Sequence, residues 1–378
     1  MTEVFVAGTG MTRFTGHGPG TARALAAEAA QAALSDAGLS FADVDTLIAG
    51  AGHPLSPRGS IVARELGLTG IPVQHVVNAS ATGLAAIDAA MRTVESGRAD
   101  VALVLGYDAP EVDIPLEQVI AAEGSRPPAV SFALWARRRM HEVGTTREHL
   151  AAVAAKNWNY ARQSPYAARQ AAEPVTTERV LAASTVADPF TSMMCTPWGE
   201  GAAAVVLCSD RARATHGGRP AVRLAASALC SERYAPRQVL DGVVAAAPEL
   251  TRHTAMQAMR AAGVTARDLD LVQVHDAFAV EELVYLEQLG LTEPGETEKL
   301  LLEGAFGPGS RARFGLPEVS TDGGLIARGH PGAPTGVAQV WETVRRMRTV
   351  ASDRVGLCHL VGAGPVCVTQ VYIREDPS

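Results

Sequence analysis

The chain has 378 residues, 47% of them hydrophobic, with 36 glycines, so it can bury one large core or two medium ones, and general disorder is excluded. A formal charge of −7 argues against nucleic acid as the main partner, because phosphate binding requires a basic surface. The five cysteines (Cys195, Cys208, Cys230, Cys358, Cys367) show no CxxC pairing and no regular spacing, which argues against a zinc site or a disulfide framework and predicts a reducing cytoplasmic location.

The first residues enter "VFVAG" almost at once, leaving no room for a signal peptide, and no apolar run reaches bilayer length. Strand-like runs then alternate with alanine-rich helical stretches: a helix over 21–37, "DTLIAG", "VQHVVN", a helix from about Thr82 to Glu95, and "VALVLG". This order predicts a layered α/β architecture with parallel strands. "GTGMTRFTG" after the first strand has Arg13 at the third position of a dinucleotide loop, so it reads as a turn.

Residues 109–190 lack clean strand periodicity and hold "SRPPAV", the cluster Arg137, Arg138 and Arg139, and "KNWNYARQSPY". They read as an insertion over one end of the sheets, where ligands of α/β folds bind. The three arginines read as a solvated helix face, with CoA phosphates as the alternative partner.

The early order returns later in the chain. "DAGLSFADVDTLIAG" at 36 matches "AAGVTARDLDLVQVH" at 261, with Gly38, Asp43 and Asp45 falling on Gly263, Asp268 and Asp270. "TGLAAIDAAMRTV" at 82 matches "TGVAQVWETVRRM" at 335, and each leads into a strand. Two matched segments in one order imply a duplicated unit, against the alternative of chance similarity between alanine-rich helices. The predicted division is an N-terminal half (1–108 and 191–220), an insertion (109–190) and a C-terminal half (221–378).

Four segments place Ser, His or Cys at strand ends or Gly-rich turns: "VNASATG" with Ser80, "VQVHDAF" with His275, "GGLIARGHPGAPTG" with His330, and "LCHLVGAGPV" with Cys358 and His359. Alone, each fits a structural histidine or a tight turn. Asp276 and Glu281, following "HD" into a helix start, read as capping or supporting partners.

As a set, with "PWGEGAAAVVL" at 197, these segments resemble the thiolase superfamily, specifically its sterol-carrier-protein-type and lipid-transfer-protein-like branch. The resemblance implies an α/β duplicated thiolase fold, layered α-β-α-β-α, with two mixed sheets and a loop insertion. It also implies catalytic roles for Ser80, His275, His330 and His359 and substrate contacts at Asn78, Gly329, Gly362 and Gly364. A CoA thioester is the implied substrate, with no bound cofactor and no metal, and a homodimer is the implied assembly.

Two departures decide the expected chemistry. The family carries a nucleophilic cysteine where this chain has Ser80, and its branch carries a second cysteine, handling the α-carbon proton, where this chain has Ala277. A helix dipole contributes about 1 kcal/mol, enough to help a thiol ionise and far too little for an aliphatic hydroxyl. Ser80 therefore attacks only if His330 removes its proton during the step. Cys358 precedes His359 by one position and so faces the other side of a strand, which predicts a buried structural role. His275 and His330 are expected to hydrogen-bond a thioester oxygen and stabilise an enolate.

Three readings remain at this point: an acyl-CoA C–C lyase or aldolase, for which the resemblance implies a small zinc-ribbon and oligonucleotide-fold partner; an acyltransferase passing through an acyl-serine at Ser80; and a non-catalytic binding or scaffold subunit.

Overall fold

The computed structural model describes residues 2–16, 21–52, 56–109, 127–213, 220–233, 247–363 and 365–375. Its principal sheet has ten strands in the order β10-β9-β11-β12-β8-β1-β7-β4-β2-β3. These are β1 (Val4–Met11), β2 (Thr46–Gly50), β3 (Val73–Val76), β4 (Val101–Asp108), β7 (Gly201–Ser209), β8 (Ala221–Ser231), β9 (Leu271–Gln273), β10 (Glu318–Val319), β11 (Val355–Gly362) and β12 (Val366–Glu375). A separate hairpin pairs β5 (Thr185–Ala187) with β6 (Phe190–Thr191).

The order is the same pattern written twice. β2, β3 and β4 run parallel, with β7 and β1 antiparallel beside them. β9, β10 and β11 run parallel in the same way, with β12 and β8 antiparallel beside them. Two separate mixed sheets were expected; instead the two five-stranded halves join edge to edge through one registered pair, Phe5 with Arg223. The mixed character expected of the sheets is present in each half, where parallel strands are followed by an antiparallel pair.

The repeat seen in the sequence performs one job in both halves. Gly38 and Gly263 end their helices in the left-handed conformation, with φ of 68° and 71°. Ser40 with Asp43 and Thr265 with Asp268 form matching capping boxes. Asp45 accepts the backbone N–H groups of Asp100 and Val101, and Asp270 accepts those of Arg354 and Val355, so each carboxylate ties the entry of its central strand.

Helices Thr82–Glu95 and Pro334–Thr349 pack against both halves of the sheet and form the central layer, while helices Ala22–Ala37 and Pro248–Ala262 cover the outer faces. Strand side chains alternate accordingly. Leu47, Leu103 and Val206 enter the outer core under helix Ala22–Ala37, and Ile48, Val104 and Val205 enter the central one. The central helices meet at their first turns: a Cβ on Gly83 would lie 2.9 Å from Val337 N, and one on Gly336 would lie 2.8 Å from Leu84 N. Two bare backbones at this crossing bring both helix N-termini to one place.

The 109–190 stretch packs its longer described helices against helix Ala279–Gln288. Its helix Pro128–Val143 does not present three equivalent arginines as expected. Arg137 pairs with Asp188 and Arg138 with Glu142 at the surface, but Arg139 is buried between Glu287 and Glu298. Its next helix, Arg147–Ala161, sends Asn157 Nδ2 to Asp276 at 2.7 Å and to Glu282 at 3.1 Å, with Lys156 alongside. Among the described residues, no helix is long and apolar enough to cross a membrane.

Candidate active site

The chain leaves β3, crosses Asn78 and Ala79, and starts a short turn at Ala79–Ala81 that runs into helix Thr82–Glu95. Ala79 has φ of 47°, a left-handed conformation that a residue with a Cβ adopts only at a cost of order 1 kcal/mol or more. The Thr82 hydroxyl holds that turn closed, donating to Ala79 O at 2.6 Å and accepting from Asn78 N at 2.7 Å. Ser80, half-buried, is thereby presented at the helix N-terminus.

His330 reaches it from the second half of the chain: Ser80 Oγ and His330 Nε2 are 2.9 Å apart. The imidazole sits between Gly329 and Gly332, whose φ values of 110° and 91° give the tight turn that "GHPG" encodes. Asp108, at the end of β4, fixes the far side of this turn by accepting from Ala333 N at 2.7 Å and Gly52 N at 2.9 Å. The other ring nitrogen, Nδ1, is 2.7 Å from the Thr335 hydroxyl. Thr335 is the repeat mate of Thr82, so one duplicated threonine closes the serine turn and the other orients the imidazole.

Burial, the neighbouring His275 and the charge of Arg328 hold His330 well below the usual histidine range, so it is neutral at physiological pH. With its proton on Nδ1 it donates to Thr335 and offers the Nε2 lone pair to the Ser80 hydroxyl. With the proton on Nε2 it donates toward Ser80 instead.

His275 follows β9 and stands at right angles to His330, with 5.4 Å between ring centres. Its Nδ1 is 2.8 Å from Glu281 Oε1, and its Nε2 is buried with no partner among the described residues. Glu281 also caps its own helix through Phe278 N at 2.9 Å, so it is both the capping residue and the supporting partner expected from the sequence. Asp276 points away, accepting from Leu325 N and Asn157, and burial beside Glu282 raises its carboxyl well above the ordinary range.

His359 is not brought to this cluster. It lies inside β11, not at a strand end, fully buried, with Nε2 2.9 Å from Thr251 Oγ1 and its ring 4.7 Å from that of Tyr285. Burial lowers it to about 3. Cys358, on the opposite face of the strand, contacts Thr343 Oγ1 at 3.3 Å, and burial pushes its thiol up to about 12. Gly362 ends β11 against the serine turn, where a Cβ would strike Asn78 O. Gly364 lies outside the described residues.

Sequence reasoning did not single out Thr335, Asn157 or Trp198. Thr335 was visible as half of the "TG" repeat. Trp198, 52% exposed, lies 6.3 Å from His330 ring to ring, a contact between loops with no local signal. Two surface clefts of about 370 and 440 Å³ lie elsewhere and are lined by none of the cluster residues.

Residues 4–109 match the thiolase N-terminal domain, and residues 241–366 match the thiolase C-terminal domain-like family. The chain is 33% identical to an acetyl-CoA acetyltransferase of Methanothermobacter thermautotrophicus, over 99% of this chain and 100% of that one. It is 30% identical to sterol carrier protein 2 of Bos taurus, over 99% of this chain and 73% of that one. The fold matches the solved Ltp2-ChsH2(DUF35) aldolase with a TM-score of 0.83 at 24% identity, covering 100% of this chain and 99% of that one. The chain therefore belongs to the thiolase family, and its fold is the thiolase fold.

Proposed function

We propose that this protein acts on an acyl-CoA or related thioester by cleaving or forming a C–C bond through a stabilised enolate, in the manner of an aldolase or lyase. The observation that carries this reading is the meeting of two imidazoles at 5.4 Å beside the Ser80 hydroxyl, with the cysteines held elsewhere. Cys358 and Cys195 are buried and protonated, each pushed up to about 12, and the motif position beside His275 is Ala277. An enolate needs a donor toward its developing oxyanion and a base for its proton, two roles that a pair of neighbouring imidazoles can divide between them, and neither requires a thiolate. The shared fold of a solved aldolase assembled with a DUF35 partner agrees with this reading and with a similar partner here.

A homodimer belongs to the same proposal. Among the described residues β3 pairs only with β2, and its outer edge, with Val77 59% exposed beside it, is open to a second strand.

The test is to incubate the protein with a panel of 3-hydroxyacyl-CoA thioesters and follow release of a shorter acyl-CoA and its carbonyl partner by mass spectrometry. Release that disappears in His330→Ala supports the proposal. Absence of release across the panel, with or without a candidate partner protein, overturns it.

One observation favours a second reading, an acyl-serine acyltransferase. Ser80, His330 and Thr335 form a chain of nucleophile, base and orienting group at 2.9 and 2.7 Å. A stoichiometric acyl adduct on Ser80 after mixing with acyl-CoA distinguishes it.

A further inference from the structure

We infer that His275 is the group that carries the substrate proton, held in its basic tautomer by Glu281 and Tyr285; the inference rests on the enolate reading above. As a carboxylate, Glu281 only accepts hydrogen bonds. Its Oε2 takes the Phe278 backbone N–H at 2.9 Å, and its Oε1 faces both His275 Nδ1 at 2.8 Å and the Tyr285 hydroxyl at 3.3 Å. The proton of a neutral His275 therefore sits on Nδ1, and Nε2 keeps a bare lone pair.

That lone pair is buried and has no donor among the described residues, which is costly unless a ligand supplies one. His359 Nδ1 accepts from the His275 backbone N–H at 3.5 Å, and the His330 ring stands at right angles 5.4 Å away, so neither imidazole donates to Nε2. The expected role of His275 as a donor to the thioester oxygen is thus the one role its neutral form cannot perform. A proton acceptor is what the arrangement leaves.

This fills the gap left at Ala277, which has no thiol to move a proton, and Glu281 and Tyr285 are positioning residues in it. In the cleavage direction Nε2 takes the proton of a β-hydroxyl, the O–H electron pair becomes the carbonyl bond, and the Cα–Cβ bond breaks with its pair moving into the thioester enolate. Nε2–H then returns the proton to Cα. A 3-hydroxyacyl thioester becomes a carbonyl compound and a shorter acyl thioester, with no oxidant or second reactant. The reverse is aldol addition, whose first step is removal of an α-proton by Nε2, the C–H pair moving into the enolate; reversal of that step in deuterium oxide exchanges the α-proton.

The test uses propionyl-CoA in deuterium oxide, with deuterium at the α-carbon read by mass spectrometry. The wild-type protein is expected to exchange. Glu281→Gln, whose amide donates to Nδ1 and favours the Nε2–H tautomer, is expected to slow exchange by about 100-fold or more with little change in KM. Glu281→Asp is expected to recover part of the rate. Long-range proton–nitrogen NMR on the whole protein gives a readout that does not need turnover: Nδ1–H on His275 in the wild type and Nε2–H in Glu281→Gln. If Glu281→Gln does not fold, Tyr285→Phe replaces it and is expected to slow exchange by about tenfold.

Wild-type exchange that survives Glu281→Gln or Tyr285→Phe undiminished, or an Nε2–H tautomer in the wild type, overturns the inference and leaves the enolate reading standing. A wild-type protein that neither exchanges nor cleaves overturns the enolate reading and the role of His275 with it, even where NMR reports the Nδ1–H tautomer.

Discussion

Ser80 and His330 are separated by 250 positions in the chain and by 2.9 Å between Oγ and Nε2. Their contact exists because helices Thr82–Glu95 and Pro334–Thr349, repeat mates, cross at their first turns, glycine against backbone on both sides. A duplicated fold places its two copies of one loop face to face, and the copies have since taken different side chains: Ser80 corresponds to Ala333, and Thr82 to Thr335.

If the hydroxyl binds and does not attack, Ser80→Ala lowers cleavage of a 3-hydroxyacyl-CoA by less than about 10-fold, whereas His330→Ala lowers it by about 100- to 10,000-fold. Intact-protein mass spectrometry after mixing with acyl-CoA shows no added mass on the wild type. A stable adduct lost in Ser80→Ala establishes the acyl-serine reading instead.

The helix crossing is sensitive to a single methyl group. Gly336→Ala places a Cβ 2.8 Å from Leu84 N, deep in the central layer, and is expected to cost about 1–3 kcal/mol of stability. The same change displaces the turn that carries His330, so activity falls at temperatures where the variant is still folded. Thermal unfolding by circular dichroism beside an activity assay checks both. Unchanged stability would mean that the crossing has slack.

Burial of His359 as a neutral ring makes stability depend on pH. Its folded value of about 3 lies below the unfolded value near 6.5, so the unfolded chain binds the extra proton between those limits. Stability is therefore full above about pH 6.5 and is lost as pH falls, by about 1.4 kcal/mol per pH unit for this group. His330 acts in the same direction, and the raised Asp276 opposes both. Urea midpoints from pH 7 to pH 5 for the wild type and for His359→Asn isolate the His359 share: the variant has the shallower slope. Equal slopes contradict the assignment.

Alkylation separates thiol from imidazole chemistry. Cys358 is fully buried and strongly disfavoured as a thiolate, while Cys230 is only half-buried. Iodoacetamide is expected to label Cys230 first and leave activity intact. Rapid inactivation that tracks Cys358 labelling would return the mechanism to a thiol.

Much of the fold was legible because duplication writes the same local physics twice. Gly38 and Gly263, the two capping boxes, and Asp45 with Asp270 are short-range devices, and each reads the same in sequence and in space. The edge-to-edge joining of the two half-sheets was not legible, because it rests on a single pairing of Phe5 with Arg223 that leaves no periodic trace. Arg137, Arg138 and Arg139 look alike in a row. Only the helical rotation of about 100° per residue, set against Glu287 and Glu298, buries the third and exposes the others.

The residue types at the candidate site, and with them the proposal of a thiol-free chemistry, come from the sequence alone: a hydroxyl at a helix start, imidazoles after a strand and within a Gly-His-Pro turn, an alanine beside "HD". Tertiary structure decided which imidazoles stand together. His275 and His330 meet at the helix crossing, while His359, as prominent in the sequence, is taken by Thr251 behind them. A side chain's chemistry travels with its letter, but the direction of a ring nitrogen depends on partners hundreds of positions away, and only packing supplies those.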